Sequence, residues 1–391
     1  MSGHFKNSIN RPWGKAFSGE TARAVFLCLT VFLMSRLLMA LSFVIAARVV
    51  IPTGTTHRPG GLLDPLLRFD AHWYKSVIEG GYHFSATQVG QYNIAFFPGF
   101  PLAVKITSWV TGLPAYTAGV LFSNIAFLLA LVVIYLYVKK RHPEVNPAIP
   151  VMLIAFFPVS YFFSSMYSES MYLLTAALVF WLLQGKKYLA ASLLVGLAGA
   201  TRVTGVTLLL PVLFLFNSST GFKFSNSKVL LKNLLYGAAG TGGLLLFLLY
   251  QQVTFGFWNA FLITQKGWGR DTGFVENAAS AAGKLVQVNS LKPQTVMHII
   301  FILLVLFTFL LMLRHRDYYI YLLWLAPSIL IPLSSGTTMS IMRFGMVLFP
   351  LFIYWGRLLT PRPLLFNLVL TLSVCLFTWL SALFSRGYPF V

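Results

Sequence analysis

The chain has 391 residues, of which 57% are hydrophobic and only 10% charged, with a mean hydropathy of +0.76. An ordinary soluble domain carries about 25% charged residues, so a water-covered globule is excluded and the composition is that of an all-α, multi-span membrane protein. The net charge of +20, from 29 Lys+Arg against 9 Asp+Glu, would point to nucleic acid in a soluble chain. Here many basic residues sit in short loops between apolar runs, as the positive-inside rule expects, and nucleic acid is not expected as a partner.

The tail carries Lys6, Arg11, Lys15 and Arg23 before a long apolar run without a small-residue cleavage site. That is an uncleaved first helix rather than a signal peptide. Apolar runs then fall at about 24–50, 115–138, 147–165, 169–184, 188–201, 204–217, 233–256, 295–313, 318–334, 342–357 and 363–384. The pattern predicts about 11 transmembrane helices in one polytopic domain, 1–391, although several runs are shorter than the usual ~20 residues. Cys28 and Cys375 lie inside apolar runs and imply neither a disulfide nor a zinc site.

The basic loops set the orientation. "KKRH" (139–142), "GKK" (185–187), Lys223, Lys228, Lys232, "RHR" (314–316) and "GRLLTPRP" (356–363) fall on the side of the N-terminal tail. The N-terminus and these loops are therefore expected to be cytoplasmic. This requires residues 189–216 to cross twice, as a helical pair turning near "TRVTG" (201–205). One long tilted helix there would invert everything downstream.

Two long loops are left to the outer face, 51–95 and 258–294, and the first continues into segment 96–112. That segment is apolar but short and holds Pro98, Gly99, Pro101 and Lys105, so a re-entrant or interfacial helix is expected. Asp64, Asp70, Glu79, Glu169, Asp271 and Glu276 fall outside, Glu20 and Glu144 inside, and Asp317 at an inner helix end. Acidic residues contribute little to topology, so their outward bias points to chemistry on the outer face.

"RFDAHWYKSVIEGGY" (68–82) predicts an amphipathic helix at the outer interface. Asp70, Trp73 and Val77 share one face, Trp73 and Tyr74 suit the headgroup level, and the glycines supply a stop. Asp70 is either a reactive carboxylate or a helix cap. In "MYSESMY" (166–172), Glu169 lies beside Tyr167 at an outer helix end. There it is either part of a site or a first-turn residue behind a Ser168 cap. Arg202 in "TRVTG", Lys266 and Arg270 in "QKGWGR", and Arg343 in "SIMRFG" each flank an apolar run on the outer side. They either bind a lipid phosphate, which the arginine fork matches, or snorkel to headgroups in general. Together these clusters suit transfer of a sugar from a lipid phosphate. A carboxylate takes the proton of an attacking hydroxyl, and cations stabilise the leaving phosphate.

"FDAHWYKSVIEGGY" followed by "NIAFFPGFPL" (93–102) resembles the first outer loop of the GPI mannosyltransferase 2 (PIG-V) family. "MYSESMYLL" (166–174), "GATRVTG" (199–205), "WNAFLITQKGWGR" (258–270) and "MRFGMVLFPLF" (342–352) resemble further segments of that family, in order, over about 68–352. The resemblance implies a GT-C-type glycosyltransferase using a polyprenyl-phosphate sugar, typically dolichyl-phosphate mannose. It implies that Asp70 is the catalytic carboxylate and that Glu169, Arg202, Gln265, Trp268 and Arg343 lie near the donor. Val203 and Thr204 depart from the more polar pair expected in the turn. The short chain looks like a bacterial or archaeal relative in the cytoplasmic membrane, or an endoplasmic-reticulum protein if eukaryotic.

The expected site therefore has Asp70 as base and His72, Glu79 or Glu169 assisting. Arg202, Lys266, Arg270 and Arg343 would take the donor phosphate, and Trp73, Tyr74, Tyr167, Gln265 and Trp268 would line the pocket. The carboxylates with His72 or His83 have donor atoms suited to a divalent ion, but no spacing is diagnostic. The expected partners are a lipid-linked sugar donor, a lipid or glycan acceptor, and membrane lipids. The alternative is a transporter or flippase for a lipid-linked or anionic substrate, built on the interrupted helices.

Overall fold

The computed structural model describes residues 19–53, 63–270, 293–334 and 338–389. The described residues are helical, with no strand among them. Among the described residues, five helices are long and apolar enough to cross a membrane: α1 (Gly19–Val49), α4 (Ala115–Arg141), α9 (Ser227–Phe255), α11 (Pro293–Met312) and α15 (Pro363–Ser385). The sequence marks their ends. Asn226 caps α9, its side chain accepting from the Lys228 and Val229 amides at 3.0 and 3.4 Å, and Gly256 ends it in the left-handed region. Three basic residues close α4, where they complement the helix dipole.

Between them lie shorter helices: α2 (Asp70–Gly80), α3 (Gly99–Thr111), α5 (Ala148–Ala155), α6 (Glu169–Gln184), α7 (Tyr188–Thr201), α8 (Leu209–Ser219), α10 (Ala260–Ile263), α12 (Tyr319–Leu333), α13 (Ile341–Met346) and α14 (Phe349–Leu359). The predicted interfacial helix of 68–82 is α2. The short helix expected in 96–112 is α3, whose Leu102, Ile106, Trp109 and Val110 are exposed.

Residues 188–219 do form a pair. The chain reverses at Arg202, where the Gly205 amide donates to the Arg202 carbonyl at 2.8 Å. The reversal brings Phe216 of α8 back to Tyr188 at the start of α7, with ring centroids 5.4 Å apart. A side chain on Gly205 would overlap the Ala198 backbone, so the turn needs glycine there.

Two expected spans differ. Run 147–165 is helical only to Ala155 and continues through irregular backbone and a 3-10 turn at Ser160–Phe163. Pro158 cannot continue an α-helix, and every residue from Leu153 to Leu173 is buried. The segment is the centre of the bundle rather than a lipid-facing helix. Arg36 of α1 makes this tolerable. Its guanidinium donates to the Ala155 and Ser160 carbonyls at 3.3 and 3.2 Å and to the Ser160 and Ser164 hydroxyls at 3.0 and 2.7 Å. It thus satisfies backbone that would otherwise be orphaned in an apolar interior. Run 342–357 is likewise split into α13 and α14 by a break at Val347–Leu348, just before Pro350.

α7 and α9 approach to backbone contact. Gly196 and Gly243 face each other so closely that a methyl group on either would overlap the partner helix, the small-residue packing typical of membrane helices. The acidic residues divide between the two ends of the bundle. Glu20 pairs with Lys139 and Asp317 with Arg141, while Asp70 and Glu169 meet at the other end. Asp271 and Glu276, and most of the second long loop, lie outside the described residues.

Candidate active site

Four charged side chains from four parts of the chain form one line. Asp70 begins α2, Arg343 lies in α13, Glu169 begins α6, and Arg202 sits at the α7 reversal. Arg343 Nη1 donates to Asp70 Oδ2 at 2.6 Å. Arg343 Nε contacts Glu169 Oε1, and Arg202 Nη2 contacts the same oxygen. Glu169 is fully buried, the two arginines are 11% exposed and Asp70 is 23% exposed. The line thus runs from a closed interior to an accessible carboxylate. Asp70 Oδ1 has no hydrogen-bond partner among the described residues.

Aromatic and hydroxyl groups hold the line in place. The Asp70 amide, one of the orphan donors of a helix start, donates to the Tyr167 hydroxyl at 3.1 Å. That hydroxyl in turn donates to the Arg68 carbonyl at 2.8 Å. Asp70 is therefore held by a cap and is not one; its carboxylate is left to Arg343. Ser168 does occupy the N-cap position of α6, but its side chain caps no amide. Its Oγ accepts from the Tyr74 hydroxyl at 3.0 Å and from Arg202 Nε at 3.1 Å. Burial pushes the Tyr74 phenol up to about 12, so it stays a donor at neutral pH. Arg343 lies over the Tyr167 and Phe162 rings at 5.1 and 5.4 Å, and Arg202 over Tyr172 and Phe344.

Phe69, immediately before Asp70, has φ of 50°. A bulky residue there is strained, and such strain concentrates where a side chain must be aimed. The Phe69 ring packs on Phe384, with centroids 5.7 Å apart, which helps to hold the turn.

Trp73, one turn beyond Asp70, stacks on Phe96 at 6.0 Å and meets Trp268 edge-on at 5.9 Å. This aromatic wall fastens the second outer segment to the first. Thr264 Oγ1 accepts from the Tyr92 amide at 3.1 Å, and Gly267 lies directly on the Gly90 backbone. Gln265 Oε1 accepts from Arg270 Nη1 at 3.0 Å. Burial, and the neighbouring Arg343 cation, pull the Arg270 guanidinium below its ordinary value, against the pull of Asp70. Arg270 Nε and Glu169 Oε2 are buried without a hydrogen-bond partner among the described residues.

The structure thus brings together Asp70, Glu169, Arg202, Arg343 and Arg270, with Tyr74 and Tyr167 beneath them and Trp73, Trp268 and Gln265 alongside. Arg202 and Arg343, expected to hold a phosphate, are engaged by carboxylates, whereas Arg270 makes no ion pair among the described residues. Lys266 is exposed and makes no such contact among the described residues. Glu79 is drawn away, pairing with Lys75 at 3.4 Å on the exposed face of α2. His72 turns to the Tyr116 hydroxyl at 3.1 Å, and the His83 amide donates to Asn93 Oδ1 at 2.7 Å. No group of three or more metal-donor side chains converges among the described residues.

Phe162, Tyr172 and Phe344 are not among the expected site residues, and Ser168 is expected only as a cap. Each adjoins a charged residue in sequence or in space, but nothing in its own pattern marks it. No protein-family model and no curated protein matches the chain.

Proposed function

We propose that the chain is an integral-membrane glycosyltransferase. It would move a hexose, mannose in the first instance, from a polyprenyl phosphate to an acceptor hydroxyl at the extracytoplasmic or lumenal face. The observation that carries this reading is Asp70. It is an accessible carboxylate on an interfacial helix, with one oxygen clamped by Arg343 and the other without a partner among the described residues, beside the half-buried Arg270.

In this reaction Asp70 Oδ1 accepts the proton of the acceptor hydroxyl as that oxygen bonds to the anomeric carbon. The bond from that carbon to the phosphate oxygen breaks, and the phosphate leaves with the electron pair. Arg270, with Lys266 at the rim, meets the charge that develops there. Arg343 fixes the Asp70 carboxylate, and Glu169 and Arg202 fix Arg343. Trp73, Trp268 and Phe96 form an apolar wall for the sugar face. A GT-C-type arrangement of about 11 crossings with a cytoplasmic N-terminus accompanies the proposal. The reversal at Arg202 and the acidic–basic pairs at the opposite end support it.

A transporter or flippase for a lipid-linked or anionic substrate is the second reading. The breaks in the helical runs at 156–168 and 347–348 favour it, since interrupted helices frame many transport sites. One experiment separates the two. Purified protein in lipid receives radiolabelled polyprenyl-phosphate mannose and a membrane-lipid extract, with Asp70→Asn in parallel. Label moving to a new product with wild type, and falling about 10²–10⁴-fold with Asp70→Asn, is the expected result. Full transfer by the variant removes Asp70 from the role. Label that crosses the bilayer still on its carrier selects the transporter.

A further inference from the structure

A cavity of about 430 Å³ opens between α2, α3, α7 and α9, lined by Val77, Pro101, Leu102, Leu246 and Phe247 among others. Its walls are almost wholly apolar, and the charged residue lining it is Lys105. Asp70, Glu169, Arg202, Arg270 and Arg343 do not line it, so it is separate from the candidate active site. The flanking faces of α3 and α9 expose Ile106, Trp109, Val110, Leu249 and Val253, as a surface turned to hydrocarbon does. Lys105 is exposed and makes no ion pair or hydrogen bond among the described residues. Two tyrosines, Tyr82 and Tyr250, line the same cavity, their rings 5.7 Å apart.

We propose that this groove seats one anionic phospholipid of the surrounding bilayer, an acyl chain lying along the apolar walls and the phosphate meeting Lys105. The complementarity decides the occupant. An apolar groove alone accepts any chain, but an unpaired lysine inside it discriminates in favour of a lipid with a net negative headgroup. The lipid would brace α3 against α9. Val77 and Ile78 line the groove and stand on the helix that begins with Asp70, so its occupancy bears on how α2 is held. The inference does not depend on the transfer reaction.

The test is native mass spectrometry of the purified full chain in detergent. Phosphatidylglycerol and phosphatidylcholine are offered at equal concentration, and polyprenyl phosphate is offered as competitor in a further series. One phosphatidylglycerol should be retained roughly fivefold over phosphatidylcholine, the factor a single lysine near a membrane surface supplies. Lys105→Gln should abolish that preference, and Lys228→Gln, on the other end of α9, should keep it. Leu246→Trp, which fills the groove, should lose both lipids. Equal preference in wild type and Lys105→Gln overturns the proposal. So does displacement of phosphatidylglycerol by an equal concentration of polyprenyl phosphate, which would make the groove a carrier site.

Discussion

Arg343 and Asp70 stand 273 residues apart in the chain and are joined at 2.6 Å, Nη1 to Oδ2. The same guanidinium touches Glu169 through Nε. One planar fork therefore connects an accessible carboxylate to a fully buried one, and a compact ammonium cannot span both.

Arg343→Lys should fold, because Glu169 keeps Arg202. The Asp70 carboxylate should lose its fixed orientation, and transfer should fall about 10²-fold, the cost of a misplaced reacting group. Steady-state kinetics distinguish the roles. A lower kcat at unchanged donor KM makes Arg343 a positioning residue. A raised KM with kcat intact makes it a donor contact.

Glu169→Gln should be the most destabilising single change at the site. It leaves Arg202 and Arg343 facing each other in a buried setting without their shared anion, and removing one partner of a buried pair costs about 3–5 kcal/mol. Thermal unfolding in detergent reads this directly. The double variant Glu169→Gln/Arg202→Met should recover part of the loss, because one uncompensated cation goes with it. No recovery would show that the two arginines are not coupled through Glu169.

The α7–α9 contact gives a paired test. Gly243→Ala places a methyl group on the Gly196 backbone and should lower the melting temperature by several degrees, or prevent assembly. Gly242→Ala, one residue away, meets nothing within 4 Å. It should be neutral or stabilise by about 0.4–1 kcal/mol, because alanine narrows the unfolded ensemble. Equal melting of the two variants would remove the close approach.

At the opposite end, His142 is buried between Tyr321, whose hydroxyl is 2.7 Å from Nε2, and Glu144, whose carboxylate is 3.3 Å from Nδ1. Burial brings the imidazole down to about 4, against the pull of Glu144. An unfolded histidine titrates near 6.5, so between these values the unfolded chain binds the extra proton. Stability from this group is full above about pH 6.5 and declines as pH falls toward 4. The loss should reach about 2 kcal/mol by pH 5, at 1.36 kcal/mol per unit. Melting curves from pH 7 to 5 should show a steeper decline for wild type than for His142→Asn. Parallel curves would dismiss His142 as the source.

The sequence was informative where a local pattern carries the information. Asp70 and Trp73 on one helical face, the proline-rich shortness of 96–112 and the basic ends of α4 each follow from a few adjacent residues. So does the reversal at Arg202, which the alternation of basic loops demanded. The runs 147–165 and 342–357 were less legible. Hydropathy does not distinguish a helix facing lipid from irregular chain facing protein, and Pro158 and Pro350 outweighed the apolar pattern around them. The pairing of charges was not legible at all. Arg202 and Arg343 look free when read beside their neighbours in sequence, and only the packing of α6 against α7 and the approach of Arg343 to the start of α2 give them to Glu169 and Asp70. Glu79 had the same acidic chemistry as Asp70, but its position four residues after Lys75 took it to the outer face of α2.

Among the described residues, the candidate site joins two acidic groups, Asp70 and Glu169, and three basic ones, Arg202, Arg270 and Arg343. In the proposed reaction a sugar-linked phosphodiester brings one negative charge and balances that sum. The spent carrier is a monoester with a charge of about −1.5 to −2 near neutral pH. A pocket with a fixed positive excess then grips what it has made more firmly than what it consumed. Turnover in such an enzyme is paced by the departure of the empty carrier into the bilayer rather than by the bond exchange at the sugar.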